Sequence, residues 1–306
     1  MKKTYVILTA FILLIGMTLI SSCTKDNDET SDLATLNQEQ SSDEENVGAS
    51  SDAIDDDLEN IMSYSSLKST ESVVLPCHLN IDSSLIASKK FTITFNGENC
   101  NGTFTRTGTM EITLTGNHWS DAGAVLTVKY TNLKITRIAN QKYVILNGTK
   151  THTNVSGGLV RWLGQTGTPD AIVRKIESND MKITFTNGTE RNWNISRTRS
   201  FSKVEGNVKL TVTGSGTADG KTNLVEWGTN RRGTAFYSQI TSPIVMSQAC
   251  DYKPSAGEKI HYVGLRTVDV ILGTDETGTP VNNGCATHYK ISWTGVGGEK
   301  TAILPY

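Results

Sequence analysis

Five cysteines, five histidines, a scatter of carboxylates and two arginine pairs are the residues of this chain with chemistry to offer. Nucleophilic catalysis needs a Ser or Cys beside a His and an acid. His78, His118, His152, His261 and His288 stand in no nucleophile motif, and Gly-x-Ser-x-Gly is absent. Gly214-Ser215-Gly216 reads as a strand kink or turn. His152 alternates with Thr151 and Thr153 on an expected strand and reads as facing solvent. Glycoside hydrolysis needs two carboxylates across a cleft; Asp121, Glu226 and Asp269 are nameable candidates that nothing ranks. Trp119, close to Asp121, reads either as a sugar-stacking corner or as a strand-end core residue. Walker and Rossmann glycine patterns and EF-hand loops are missing, so no catalytic residue, cofactor or metal ligand is assigned. Whether the chain is an enzyme stays open, with a non-catalytic role favoured. The positive residues are more suggestive. Arg197 and Arg199 share one face of an expected strand, and Arg231-Arg232 sits in a Gly-bounded hairpin. These four are candidates for an anion-binding face, for a sulfated or uronic polysaccharide or, without specificity, nucleic acid. The competing reading is a solvated face whose charges are screened.

The first 23 residues bear on where these groups act. Lys2 and Lys3 precede an uncharged, largely apolar run from Tyr5 to Ile20. That is a secretory signal pattern, short for a transmembrane helix of about 20 apolar residues. Ile20-Ser21-Ser22-Cys23 resembles the lipobox of bacterial lipoproteins, with Ser22 where Gly or Ala is usual. The resemblance implies removal of residues 1–22 and acylation of Cys23, with palmitate among the chains added. Several acyl chains, each buried CH₂ contributing about 0.8 kcal/mol, anchor a domain durably. Lys25, Asp26, Asp28 and Glu29 resemble the surface-export signal of Bacteroidota-type lipoproteins, or simply begin a charged linker. The expected address is the outer membrane, surface-exposed, with a periplasmic orientation as the alternative.

In an exported chain the remaining Cys77, Cys100, Cys250 and Cys285 read as disulfides. Three pairings exist; Cys77–Cys100 and Cys250–Cys285 are favoured because each pair sits at one end of the chain. A metal site lacks the required Cys-x-x-Cys or His spacing.

Charge divides the chain. Residues 24–60 hold 13 Asp or Glu and one Lys, whereas residues 61–306 hold 26 Lys or Arg against 18 Asp or Glu, a net of +8. The acidic, Ser-rich stretch 23–60 reads as an extended, disordered, self-repelling tether. Within it Ile54, Leu58 and Ile61 fall at i, i+4, i+7 behind Asp55, Asp56 and Asp57, which predicts a short helix over roughly 52–62.

The body, 61–306, has a period of two. Phe91-Thr92-Ile93-Thr94-Phe95 is typical, and Met110 to Leu114, Met181 to Phe185, Val208 to Val212 and Tyr289 to Trp293 repeat it. Asn96-Gly97, Asn101-Gly102, Asn147-Gly148, Asn187-Gly188, Asp219-Gly220 and Asn283-Gly284 supply hairpin-turn dipeptides. No segment suits a crossover helix, so the fold class is all-β and antiparallel, a sandwich or a long curved sheet of hairpins. A weak echo of Ile93–Gly97 in Ile183–Gly188, each followed by an Arg-bearing strand, suggests two related halves, about 70–160 and 178–306.

Several stretches resemble a group of uncharacterised β-rich lipoproteins exported by Bacteroidota. They are Asp121-Ala122-Gly123-Ala124-Val125, Gly148 to Asn154, Ser196 to Arg199, Gly228 to Gly233, Ala249-Cys250 and Gly284-Cys285-Ala286. The chain departs from the group at Asp275 to Asn283. The resemblance implies an antiparallel β fold and paired cysteines, and no activity. The expected function is a non-catalytic binding or adhesive module; a structural subunit paired with another envelope protein, and then a carbohydrate-active enzyme, follow. Lipid attachment has a direct check. A Cys23→Ala protein should leave the membrane fraction, and unchanged partitioning with membranes would defeat it.

Overall fold

The computed structural model describes residues 25–65 and 76–306. Residues 1–22, expected to be a signal segment, and Cys23 lie outside the described residues. Among the described residues one α-helix, α1 (Lys25–Ser65), precedes fifteen strands. They are β1 (Leu79–Asp82), β2 (Lys90–Glu98), β3 (Phe104–Thr115), β4 (Val125–Arg137), β5 (Tyr143–Asn154), β6 (Ala171–Phe185), β7 (Glu190–Val204) and β8 (Asn207–Gly214). After these come β9 (Gly216–Ala218), β10 (Lys221–Thr229), β11 (Ala235–Ser247), β12 (Pro254–Val263), β13 (Arg266–Thr274), β14 (His288–Gly295) and β15 (Gly298–Pro305).

All belong to one antiparallel sheet, ordered as the chain runs apart from β8 and β9. Antiparallel pairing follows from the two-residue period and the lack of crossover helices, and of the two expected forms the structure is the single long sheet of hairpins. β8 and β10 share one position between β7 and β11: Arg197 pairs with Gly214 and Ile195 with Glu226, and the residues between loop out as a short hairpin. Asp219 and Gly220 turn that hairpin with φ of 50° and 72°, as an Asp-Gly turn demands. Asn101-Gly102 and Asn187-Gly188 also turn hairpins. Asn96-Gly97 and Asn147-Gly148 do not; they lie inside β2 and β5. Gly148 (φ 120°) marks a bulge between β5 and β6, and Gly108 (φ 115°) marks one between β3 and β4. Such bulges sharpen twist and curl the sheet.

The disulfides are those expected. Cys77 and Cys100 (Cα–Cα 5.0 Å) tie the start of β1 to the β2–β3 turn, and Cys250 and Cys285 (5.3 Å) tie the β11–β12 and β13–β14 connections.

The acidic stretch departs from expectation. It is not an extended tether: α1 has 41 residues, about 60 Å at 1.5 Å per residue. It contains the helix expected over 52–62, and Ile54, Leu58 and Ile61 are buried against the sheet with Val47 and Met62. Such a composition leaves a segment disordered only when it stands alone in water; here the sheet supplies the opposite charges and the apolar floor. At Gly148 a Cβ would stand 2.7 Å from the Asp180 carbonyl oxygen. Gly148→Ala should therefore lower stability by about 1–3 kcal/mol, read as a reduced denaturant midpoint.

Candidate functional site

Alternation sends every second side chain of a strand to the face that carries α1. Arg191, Trp193, Ile195, Arg197, Arg199 and Phe201 of β7 all point that way and are all buried. So do Lys150, His152 and Asn154 of β5, in phase with Val144 and Leu146. The inner face is thus apolar and cationic together, and α1 lies on it with its carboxylates turned to the cations.

The helix crosses strands rather than following one. Its earlier part meets β10 to β13. Glu39 bonds to Arg232, and Arg231 reaches Glu39 (3.3 Å) and Asp43. Asn37 accepts from Arg266 at 3.2 Å, and Glu45 takes Lys259. Glu44 accepts from the Ser238 hydroxyl and lies 2.6 Å from His261 Nδ1. Its later part meets β3 and β5 to β7. Asp55 binds Lys150 (3.1 Å) and Arg197 (2.8 Å), Asp52 also binds Arg197 (2.6 Å), and Asp56 binds Arg199 (2.7 Å). Asp57 pairs with Arg106, and Glu59 with Arg174 at 2.8 Å.

Burial sets the electrostatics. Desolvation alone would raise the Asp55 carboxyl, but Lys150, His152, Arg197 and Arg199 together hold it well below the carboxylate range. Glu44 is held down in the same way, to about 2, by His261, Arg191 and Lys259. Burial prevails at Asp43, Asp56 and Glu226 and raises their pKa values. It also lowers Lys150, and it pushes His152 down to about 4 against the opposing pull of Asp55, with Lys150, Arg197 and Arg199 adding to the lowering.

The four arginines singled out from sequence therefore do face anions, those of the chain's own helix. Arg197 and Arg199 share the inner face as expected, 5% and 3% exposed, which is not a solvated, screened face. Arg231 and Arg232 sit on the β10–β11 turn, away from that pair. His152 is buried, not solvent-facing, since its strand face is the one the helix covers.

The carboxylates considered for sugar chemistry do not converge. Asp121 accepts the His118 amide in an exposed loop, Glu226 is buried against Arg191 and Trp193, and Asp269 stands exposed between the inward Val268 and Val270. Trp119 is a core residue, 2% exposed; its Nε1 donates to Glu59 (3.3 Å) and Arg174 stacks 4.7 Å over its ring. Ser238, His261 and Glu44 meet, but Ser238 Oγ and Glu44 both approach Nδ1 of the imidazole, and all three are sealed under the helix. A nucleophile–base–acid relay uses both ring nitrogens. A cavity of about 10 Å³ beside Asp55, Glu59, His152 and Arg199 has room for one water. Among the described residues no group of three or more His, Cys, Asp or Glu could hold a metal ion. The residues that sequence reasoning missed are the cations Arg106, Lys150, Arg174, Arg191 and Lys259 and the acids of α1. For the cations the usable signal was phase: each lies at an inward, apolar-phase position of its strand.

No family model, curated protein or solved structure matches the chain.

His152 gives the site a pH signature. The unfolded chain takes up a proton at the ordinary histidine value of 6.5, the folded one only near 4. Stability from this group is complete above pH 6.5 and fades as pH falls toward 4. The lowered Glu44 acts the same way below its ordinary 4.5, while the raised Asp43, Asp56 and Glu226 oppose it. His152→Gln should flatten the loss of urea midpoint between pH 6.5 and 4; an unchanged slope would show that His152 does not carry it.

Proposed function

We propose that the protein is a lipid-anchored, non-catalytic binding or adhesive module of the outer membrane, facing outward and moored through Cys23. The observation that carries this reading is the seat of α1. The helix begins two residues after Cys23 and is keyed into the sheet by buried ion pairs. A lipid at Cys23 would thereby hold the whole β body, not a loosely tethered domain. The groups with chemistry to offer on the inner face are spent on that mooring. Recognition is then left to the outer face, the loops and the strand edges. On the outer face Trp227, Tyr237 and Tyr262 stand side by side on β10, β11 and β12, with Lys221 4.8 and 5.0 Å above the two tyrosine rings. No described helix is long and apolar enough to cross a membrane.

A second reading, a structural subunit of an envelope complex, is favoured by the sheet's ends. Among the described residues β15 pairs only with β14 and β1 only with β2, which leaves edges that another strand can extend.

On intact cells a protease that cannot pass the outer membrane should cut the body, and residues 25–306 should give a ligand on a glycan array. Protection on intact cells together with a silent array would sink the outward binding module. A stoichiometric envelope protein recovered by cross-linking would favour the second reading.

A further inference from the structure

The hydrogen-bond ladder of the sheet does not draw on the helix backbone. All fifteen strands hydrogen-bond to other strands, and both disulfides join segments of the β body. The sole covalent route from α1 to β1 is the chain through residues 66–78. Across the interface the named contacts are side chain to side chain, between residues far apart in the chain, up to 229 positions for Asn37 and Arg266.

The apolar part of the interface is small. Among its described side chains the helix of 41 residues buries the large apolar groups Val47, Ile54, Leu58, Ile61 and Met62. The rest of its hold is polar, mostly carboxylate against cation, with Ser51 accepting from Lys150 (2.6 Å) and Asn37 from Arg266. A Ser-, Asp- and Glu-rich segment with so few apolar residues does not sustain a helix alone. It becomes one where the cations are, which is how a ligand that folds on binding behaves.

We propose that the inner face of the sheet is a receptor site for an acidic helix, that residues 25–65 are its resident ligand, and that the resident exchanges with the same segment of a second copy. Charge complementarity selects that occupant. Asp52, Asp55, Asp56 and Glu59 fall at i, i+3, i+4 and i+7, one helix face. Their partners Lys150, Arg174, Arg197 and Arg199 sit on three adjacent strands, β5 to β7, at fixed heights. Between the charges Ile54 and Leu58 fill an apolar floor, 0% and 2% exposed. A polysaccharide carries the charge but neither that spacing nor the two aliphatic side chains.

The test uses the full chain with a protease site inserted within 66–75 and cut after folding. The freed segment should stay with the sheet through gel filtration. A labelled peptide of residues 25–65 should then replace it faster than strand amides exchange by global unfolding. A peptide carrying Asp52→Asn, Asp55→Asn and Asp56→Asn should compete at least about 100-fold less well, since each lost buried pair is costly. Heparin should not displace the helix. Replacement only at the rate of global unfolding would overturn the proposal. So would equal competition by the triple variant, or heparin competing as well as the peptide. Should the insertion impair folding, two uncut full-length preparations serve, one labelled on the body and one on the helix. Energy transfer on mixing is expected, and its absence after prolonged incubation overturns the exchange. Neither readout involves a membrane or an outside ligand, so both stand apart from the anchored-module reading.

Discussion

Buried carboxylates facing buried cations are the constraint around which this molecule is arranged. Taking an ion out of water costs several kcal/mol, and only a well-placed partner offsets it. Lys150 and Asp55 are each almost fully inaccessible, at 0% and 1% side-chain exposure. Neither is tolerable without the other. The acidic helix and the basic sheet face are therefore two halves of one interior, and each half explains a composition that looks odd by itself.

The apolar contacts divide in a related way. One cluster joins the buried aliphatic residues of α1 to β2 through β7 and reaches Phe236 and Val263. A second, around Phe201, Ile240, Val270, Tyr289 and Trp293, draws mainly on the later strands, and among the described side chains of the helix only the partly buried Ala34 packs against it. Towards those later strands the helix is held chiefly by Glu39, Asp43, Glu44 and Glu45. Charge continues the packing where hydrophobic contact thins out.

The strands, their antiparallel order and the disulfide pairs were legible because they follow from short-range rules: alternation, turn dipeptides and cysteine position. The helix was legible only in part. Ile54, Leu58 and Ile61 marked one stretch, but Glu39 to Ser51 carry little apolar signal, and their structure depends on cations contributed from β10 to β13. Composition judges a segment against water, and this one is solvated by protein. The arginines were recognised as anion-seeking, yet their partner was sought outside the chain. Arg197 and Arg199 are in phase with Trp193, Ile195 and Phe201, and a charge in phase with apolar residues faces inward. His152 was misread for the same reason, since the Thr residues beside it drew attention away from Val144 and Leu146.

The shared position of β8 and β10 carries a separate consequence. At Gly214 a Cβ would stand 2.0 Å from the Asn223 carbonyl oxygen, so the excursion between the two pieces is pinched shut at its base, backbone on backbone. The sheet keeps its register on either side of that neck, whatever the length of chain beyond it. Closure entropy grows only slowly with added residues. The Asp219–Gly220 tip is thus a natural seam, where the chain can gain or lose length while the shell around the helix keeps its shape.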